Sequence, residues 1–302
     1  MIFLARERRK TDRKNYRMDL GVDLFLVFAG LDALLEALRS KIAGEPPISA
    51  ALLFGSRARG QASPSSDVDL QVVVREPARV ASREWLSCGG QFDLVLFSQR
   101  RATGGATKVT ALYSSGIVDL VLPRYPSLVL ARLLVKAGAH RRWKSFHEQL
   151  QALSIIIRPG FQVLKGGSVW ESFYRRVAEE VVPARIDDTE ALERAQRCYL
   201  DAYWAYRKAR DGELLAAQRW LHRVPFETNV DLLNELRLRQ GLRPCYDARR
   251  SETQLSADEL RFIRLETTLD PETLCGAALT AVENTRQLVK ALTGKEPIWP
   301  RF

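Results

Sequence analysis

Two apolar runs joined by a polar loop constrain this chain more than any other stretch. The first run, Ala50 to Phe54, meets Gly55-Ser56-Arg57-Ala58-Arg59-Gly60. The second, Val68 to Val74, is opened by Ser66-Asp67-Val68-Asp69-Leu70. It is nearly all apolar and β-branched, the pattern of a buried strand. Asp67 and Asp69 stand two apart at its start, so their carboxylates project from one face.

Two adjacent carboxylates repel each other and gain nothing from burial unless a cation neutralises them. A hard divalent ion such as magnesium does so through carboxylate and phosphate oxygens. Just upstream, Gly55 lets the backbone pass close to a bulky ligand, and the N–H groups and hydroxyl of Ser56 can face a phosphate. Metal ligands and a phosphate cradle on adjacent strands make a site for phosphoryl-type transfer. An Asp-x-Asp pair by itself is common in solvated turns, and so is Gly-Ser; the specificity lies in the combination.

A third acid completes such a site. Asp119 stands in Ile117-Val118-Asp119-Leu120-Val121-Leu122, alone in an apolar strand. A lone buried carboxylate is costly, so metal ions are its expected partners; alternatively it serves as general base on an acceptor hydroxyl. Asp93, in Phe92-Asp93-Leu94-Val95, is a rival with the same local pattern.

The organisation around this constellation is α+β. Val27, Leu31, Leu34, Leu35, Leu38 and Ile42 recur at helical spacing from about Asp19 to Ala43. A short helix is expected around Ala81 to Leu86, and strands at Phe92–Phe97, Val109–Tyr113 and Ile117–Leu122, the last two joined at Ser114-Ser115-Gly116. From about Pro126 strand signals fade. Helical stretches follow at Leu128–Lys136, Trp170–Val181, Thr189–Arg210, Leu214–Leu221, Asn229–Arg239, Ala257–Thr267 and Pro271–Leu292. The expected division is a basic arm at 1–17, a mixed-sheet domain at 18–125 and a helical domain at 126–302 that supplies much of an acceptor site, with the active site in the cleft between them.

Bulk properties narrow the class. Hydrophobic residues make up 46% and charged ones 27%, as in a soluble globular protein. No apolar run is long enough to cross a bilayer, and no signal peptide is evident. Cys88, Cys198, Cys245 and Cys275 lie far apart and read as unpaired thiols in a reducing compartment, which points to the cytoplasm. With His140, His147 and His222 the only histidines, a histidine-based zinc site is not expected. The formal net charge is +10. Residues 1–20 hold seven basic and three acidic side chains, which reads either as an arm for phosphates or nucleic acid or as a disordered tail or upstream extension before Met18.

The Gly-Ser and Asp-x-Asp hallmark resembles that of the DNA polymerase β-like nucleotidyltransferases. Within them the chain is most similar to the aminoglycoside adenylyltransferases, particularly the streptomycin 6-adenylyltransferase group. That likeness extends to Glu84-Trp85-Leu86 with Gly89-Gly90, to Ala111 through Leu120 ending on the group's third aspartate, and to Tyr203-Trp204 followed by Lys208-Ala209-Arg210-Asp211-Gly212-Glu213. It places Asp119 ahead of Asp93. It implies an enzyme that holds magnesium on Asp67, Asp69 and Asp119 and cradles ATP with Gly55, Ser56 and Arg57. Such an enzyme moves AMP to an aminoglycoside-like hydroxyl, releases pyrophosphate and confers antibiotic resistance.

Lys208 and Arg210 can reach the triphosphate or simply close a helix. The acids Glu171, Glu179, Glu180, Asp187, Asp188 and Glu190 are a candidate patch for a polycation, or ordinary surface charge. Tyr199, Tyr203, Trp204 and Tyr206 are expected to pack a bundle. Arg57 and Arg59 suit a triphosphate but repel a cationic acceptor. Rival readings keep the chemistry with an RNA end, a protein or another small molecule as acceptor, or keep only the fold, as a non-catalytic nucleotide-binding or toxin–antitoxin module. Monomer and homodimer are both compatible with the sequence.

Overall fold

Strands β1 (Ile48–Phe54) and β2 (Val68–Val74) form an antiparallel pair inside a six-stranded mixed sheet. The computed structural model describes residues 30–63, 66–88 and 92–300. The basic arm at 1–17, the part at 19–29 of the helix expected from Asp19, and Gly89-Gly90 lie outside the described residues. The sheet is completed by β3 (Leu94–Arg101), β4 (Thr107–Tyr113), β5 (Gly116–Leu122) and β6 (Gln162–Lys165), in the order β3-β4-β5-β2-β1-β6. Only β2 and β5 run parallel. β4 and β5 are a hairpin turning at Ser114-Ser115, where Gly116 takes a φ of 137°.

β1 and β2 are apolar on both sides because both sides are covered. On one face α1 (Leu31–Gly44), α2 (Gly55–Ala58), α3 (Pro77–Val80) and α4 (Arg83–Leu86) contribute Leu34, Leu38, Ala58, Val80 and Leu86 to a core with Leu53, Leu70, Val72 and Leu120. On the other, Leu52 and Val73 pack with α5 (Tyr125–Lys136), α6 (Lys144–Ile157) and α7 (Gly167–Glu180). The aromatics Trp170, Phe173 and Tyr174 lie at the centre of that second core, and the buried Tyr174 hydroxyl donates to Gln71 Oε1 at 2.6 Å. Helix α6 and strand β6 are absent from the sequence reading. β6 has four residues, none fully buried, so it carries no period-2 signal.

The described chain divides into two compact units with the boundary between Pro183 and Ala184. The first therefore includes α5, α6 and α7, which close the second face of the sheet. The second is helical: α8 (Asp188–Arg210), α9 (Leu214–Arg223), α10 (Pro225–Arg239), α11 (Ser251–Gln254), α12 (Ala257–Ile263) and α13 (Pro271–Thr293). Its two long helices carry buried alanines, Ala195, Ala202 and Ala205 on α8 and Ala277, Ala278 and Ala281 on α13. Small side chains let helix axes approach closely. Asp187 and Asp270 cap their N-termini by accepting from the Glu190 and Thr273 amides, each at 2.8 Å. The fold is thus α+β, a mixed sheet region followed by a helical region. All four cysteines are free, and no helix among the described residues is long and apolar enough to cross a membrane.

Candidate active site

Strand register assembles the site. Parallel pairing of β2 with β5 sets Asp69 beside Asp119, and antiparallel pairing of β1 with β2 sets Phe54 beside Asp69. Across the hairpin Asp119 meets Thr110, and Thr110 meets Ser98 on β3. Asp67, just before β2, completes a trio: one carboxylate oxygen from each of Asp67, Asp69 and Asp119 lies within 4.8 Å of the others. Three oxygen donors that close, with no sulfur or imidazole among them, fit a hard divalent cation. Asp93 is not in this group. It is exposed, lies just outside β3, and its carbonyl accepts from the Ser114 amide at 3.0 Å.

The chain leaves β1 at Gly55 with a φ of +77°, and one helical turn, α2, begins there. A β-carbon on residue 55 would run into the Asp69 carboxylate. The glycine is what lets the turn lie directly over the Asp69 carboxylate. Ser56 is partly exposed at the start of that turn.

The Arg57 guanidinium is engaged by neighbouring groups of the protein. Its Nη2 donates to the Ser66 carbonyl at 3.0 Å, its Nε to the same oxygen at 3.3 Å, and Nη1 pairs with Asp32 of α1. It therefore ties the residue preceding Asp67 back to α1 and α2. Arg59 donates to Gln61 within its own loop at 3.2 Å.

Lys208 and Arg210 belong to the second unit, on the last turn of α8, where basic side chains complement the helix dipole. Lys208 Nζ donates to Glu213 at 2.6 Å and sits 5.3 Å from the Trp204 ring centre, while Arg210 donates to the Tyr206 hydroxyl at 3.3 Å. Tyr199 stacks on Trp299, and Trp204 packs on Trp220 with ring centres 4.9 Å apart. The expected acidic patch is largely paired: Glu171 with Arg175, Glu180 with His140 and Arg141, Asp188 with Arg239, and Glu190 with Arg194. Burial pushes the Glu180 carboxyl up, but hydrogen bonds from His140 and Arg141 outweigh it and hold the group below its ordinary value.

Sequence reasoning missed Lys108 and Thr110. Thr110 Oγ1 donates to Asp119 Oδ1 at 2.6 Å, and Lys108 Nζ lies 2.5 Å from Oδ2. The signal was present. In a hairpin turning at Ser114-Ser115, equal steps back from the turn put Thr110 opposite Asp119, and alternation puts Lys108 on the same face.

Comparison with solved structures finds similarity to an aminoglycoside 6-adenyltransferase from Bacillus subtilis, 10% identical, covering 87% of this chain and 92% of that one at a TM-score of 0.37. A nucleotidyltransferase-like protein from Exiguobacterium sibiricum 255-15 is 12% identical over 86% of this chain and 75% of that one, at a TM-score of 0.28. Comparison with curated proteins gives no match. Residues 36–100, the stretch that holds Gly55, Ser56, Asp67 and Asp69, match the family described as Polymerase beta, Nucleotidyltransferase.

Proposed function

We propose that the chain is a magnesium-dependent nucleotidyltransferase that moves AMP from ATP to a hydroxyl of a small, aminoglycoside-like acceptor. The observation that carries this reading is the convergence of Asp67, Asp69 and Asp119 beside the Gly55 turn. The three carboxylates would hold magnesium, which neutralises triphosphate charge and aligns attacking and leaving oxygens. The Gly55-Ser56 backbone and the Ser56 hydroxyl orient the triphosphate against them. In the transfer the acceptor oxygen bonds to the α-phosphorus and the bond from that phosphorus to the pyrophosphate oxygen breaks. The hydroxyl proton leaves to a carboxylate or water.

A cavity of about 660 Å³ supports a small-molecule acceptor. It is lined by Gly160, Phe161, Gln162, Glu171, Arg175 and Glu179 among others, and one lining residue, Gln162, donates through Nε2 to the Ala58 carbonyl at the end of α2 at 3.1 Å. Glu171 and Glu179 suit amino groups and Phe161 offers an apolar face. Arg158 and Arg175 line the same cavity, so its charge is balanced, which favours as second reading a less cationic small acceptor. The aminoglycoside class itself rests on the sequence resemblance around Ala111–Leu120 and Tyr203–Glu213.

The test is pyrophosphate release from ATP and magnesium with a panel of aminoglycosides including streptomycin, for wild type and Asp69→Ala. Drug-dependent release that is lost in the variant and in EDTA supports the full reading. Magnesium-dependent ATP binding with no drug-dependent release retains the transferase and removes the aminoglycoside. No magnesium-dependent ATP binding removes both.

A further inference from the structure

Asp119 is held by two donors from one strand. It is 9% exposed, and each of its carboxylate oxygens is engaged, Oδ1 by the Thr110 hydroxyl and Oδ2 by the Lys108 ammonium. Thr110 is its register partner, but Lys108 is not: Lys108 pairs with Val121, and its side chain leans diagonally along the sheet to reach Asp119. The Lys108 side chain is 23% exposed and makes its ion pair inside the same carboxylate cluster that fits a divalent cation.

A cation in that place has an electrostatic consequence. Three ionised carboxylates within 4.8 Å repel one another. Lys108 cancels one of the three charges in the metal-free protein. The same ammonium works against a divalent ion, since it repels the ion and competes for Asp119 Oδ2. We propose that Lys108 is the resident counter-cation of Asp119: it keeps the trio assembled without metal and is exchanged for the divalent ion when that ion takes all three carboxylates. This inference rests on the metal-binding reading of the trio. It makes Lys108 a positioning residue, one that acts through Asp119.

The experiment is direct titration of the full chain with Mn2+ and no nucleotide, following free Mn2+ by electron paramagnetic resonance. The proteins are wild type, Lys108→Met, Lys108→Arg, Asp119→Asn and the Lys108→Met/Asp119→Asn double variant. Lys108→Met should bind Mn2+ about five- to tenfold more tightly than wild type, the scale of one partly buried ion pair. Lys108→Arg, which keeps the charge, should stay near wild type. The gain should vanish when Asp119 is also replaced, because the exchange acts through that carboxylate. A purely structural lysine would give the opposite sign, weaker binding along with lower stability. Should Lys108→Met not fold, Lys108→Gln removes the charge while retaining a donor and carries the same expectation. Wild-type binding with unchanged or weaker affinity in the folded, uncharged variant overturns the inference and leaves the metal reading standing. No Mn2+ binding by any of the proteins overturns the metal reading and the inference with it.

Discussion

Gly55 and Asp69 approach so closely that residue 55 has no room for a β-carbon; one built on its backbone meets the Asp69 carboxyl group. Residue 55 also has a φ of +77°, which an L side chain adopts at a cost of roughly 1–2 kcal/mol. The conformation and the contact have one origin: the chain turns out of β1 directly above the Asp69 carboxylate supplied by β2. Gly55→Ala must therefore shift either the cradle or the carboxylate. Displacement of that order costs about 100-fold in rate. The variant is expected to fold, to lose roughly 1–2 kcal/mol in a denaturant titration and to lose about 100-fold in pyrophosphate release. Activity within a few-fold of wild type would show that the close approach is not used in the chemistry.

Arg57 yields a second prediction, which separates holding the loop from holding the nucleotide. Its guanidinium engages the Ser66 carbonyl and Asp32, so its removal loosens the residue before Asp67. On the proposed metal reading of the trio, Arg57→Met should weaken Mn2+ binding several-fold with no nucleotide present, because Asp67 would be less well placed. A residue that only contacted the triphosphate would leave Mn2+ affinity unchanged and lower ATP affinity alone.

The legible part of the molecule was the part whose signal is local. Val68–Val74, Ile117–Leu122 and the Ser114-Ser115 turn each announce themselves by apolar runs or turn chemistry, and the structure has them as β2, β5 and the hairpin. Gly55, Asp67 and Asp69 stand within one short stretch, whereas an acid in an apolar strand marked Asp119 and Asp93 alike and only the family resemblance set Asp119 ahead; the structure brings Asp119, not Asp93, beside Asp67 and Asp69. The partners of Asp119 were not legible, since no local rule says which residue faces it until the hairpin register is imposed. The strap made by Arg57 depends on Asp32, whose place follows only from tertiary packing. Helix α6 and strand β6 escaped for a different reason. Their apolar faces take meaning from the second side of the sheet, which a reading that ended the sheet domain at residue 125 left uncovered.

The trio also predicts a conflict between stability and function. Without metal, Asp67 adds like charge to Asp69 and Asp119, whereas Asp119 gains the Thr110 and Lys108 contacts. Asp67→Asn should therefore stabilise the metal-free protein by roughly 0.5–1 kcal/mol while abolishing transfer. Asp119→Asn should destabilise it by about 1–3 kcal/mol, since it leaves the Lys108 ammonium without its partner. Urea unfolding in EDTA measures both. A loss of stability in Asp67→Asn would show that repulsion within the trio is already relieved by other means.

Glu235 sets an acid limit on the helical unit. It is 3% exposed, its carboxylate accepts from Arg185 at 2.8 Å and from Arg239 at 3.0 Å, and it takes the Ile186 amide at 3.1 Å. Burial pushes its pKa up, but the hydrogen bonds from Arg185, Arg239 and Ile186 outweigh that and hold it below the ordinary value of 4.5. A carboxyl depressed in the folded state binds its proton more readily when unfolded. Its contribution is complete above the unfolded value and disappears as the pH falls through the folded one. Unfolding free energy should thus be flat near neutrality and decline below about pH 4.5, the unfolded value. Glu235→Gln takes the counter-charge from the half-exposed Arg185, while Arg239 keeps its pair with Asp188, and should cost about 1–3 kcal/mol at pH 7. Because that variant has no proton to bind at this position, its loss of stability between neutral and acidic pH should be smaller than that of wild type. Denaturant titrations of both proteins at pH 7, 4 and 3 supply the comparison, and parallel acid dependences would mean that Glu235 does not set the limit.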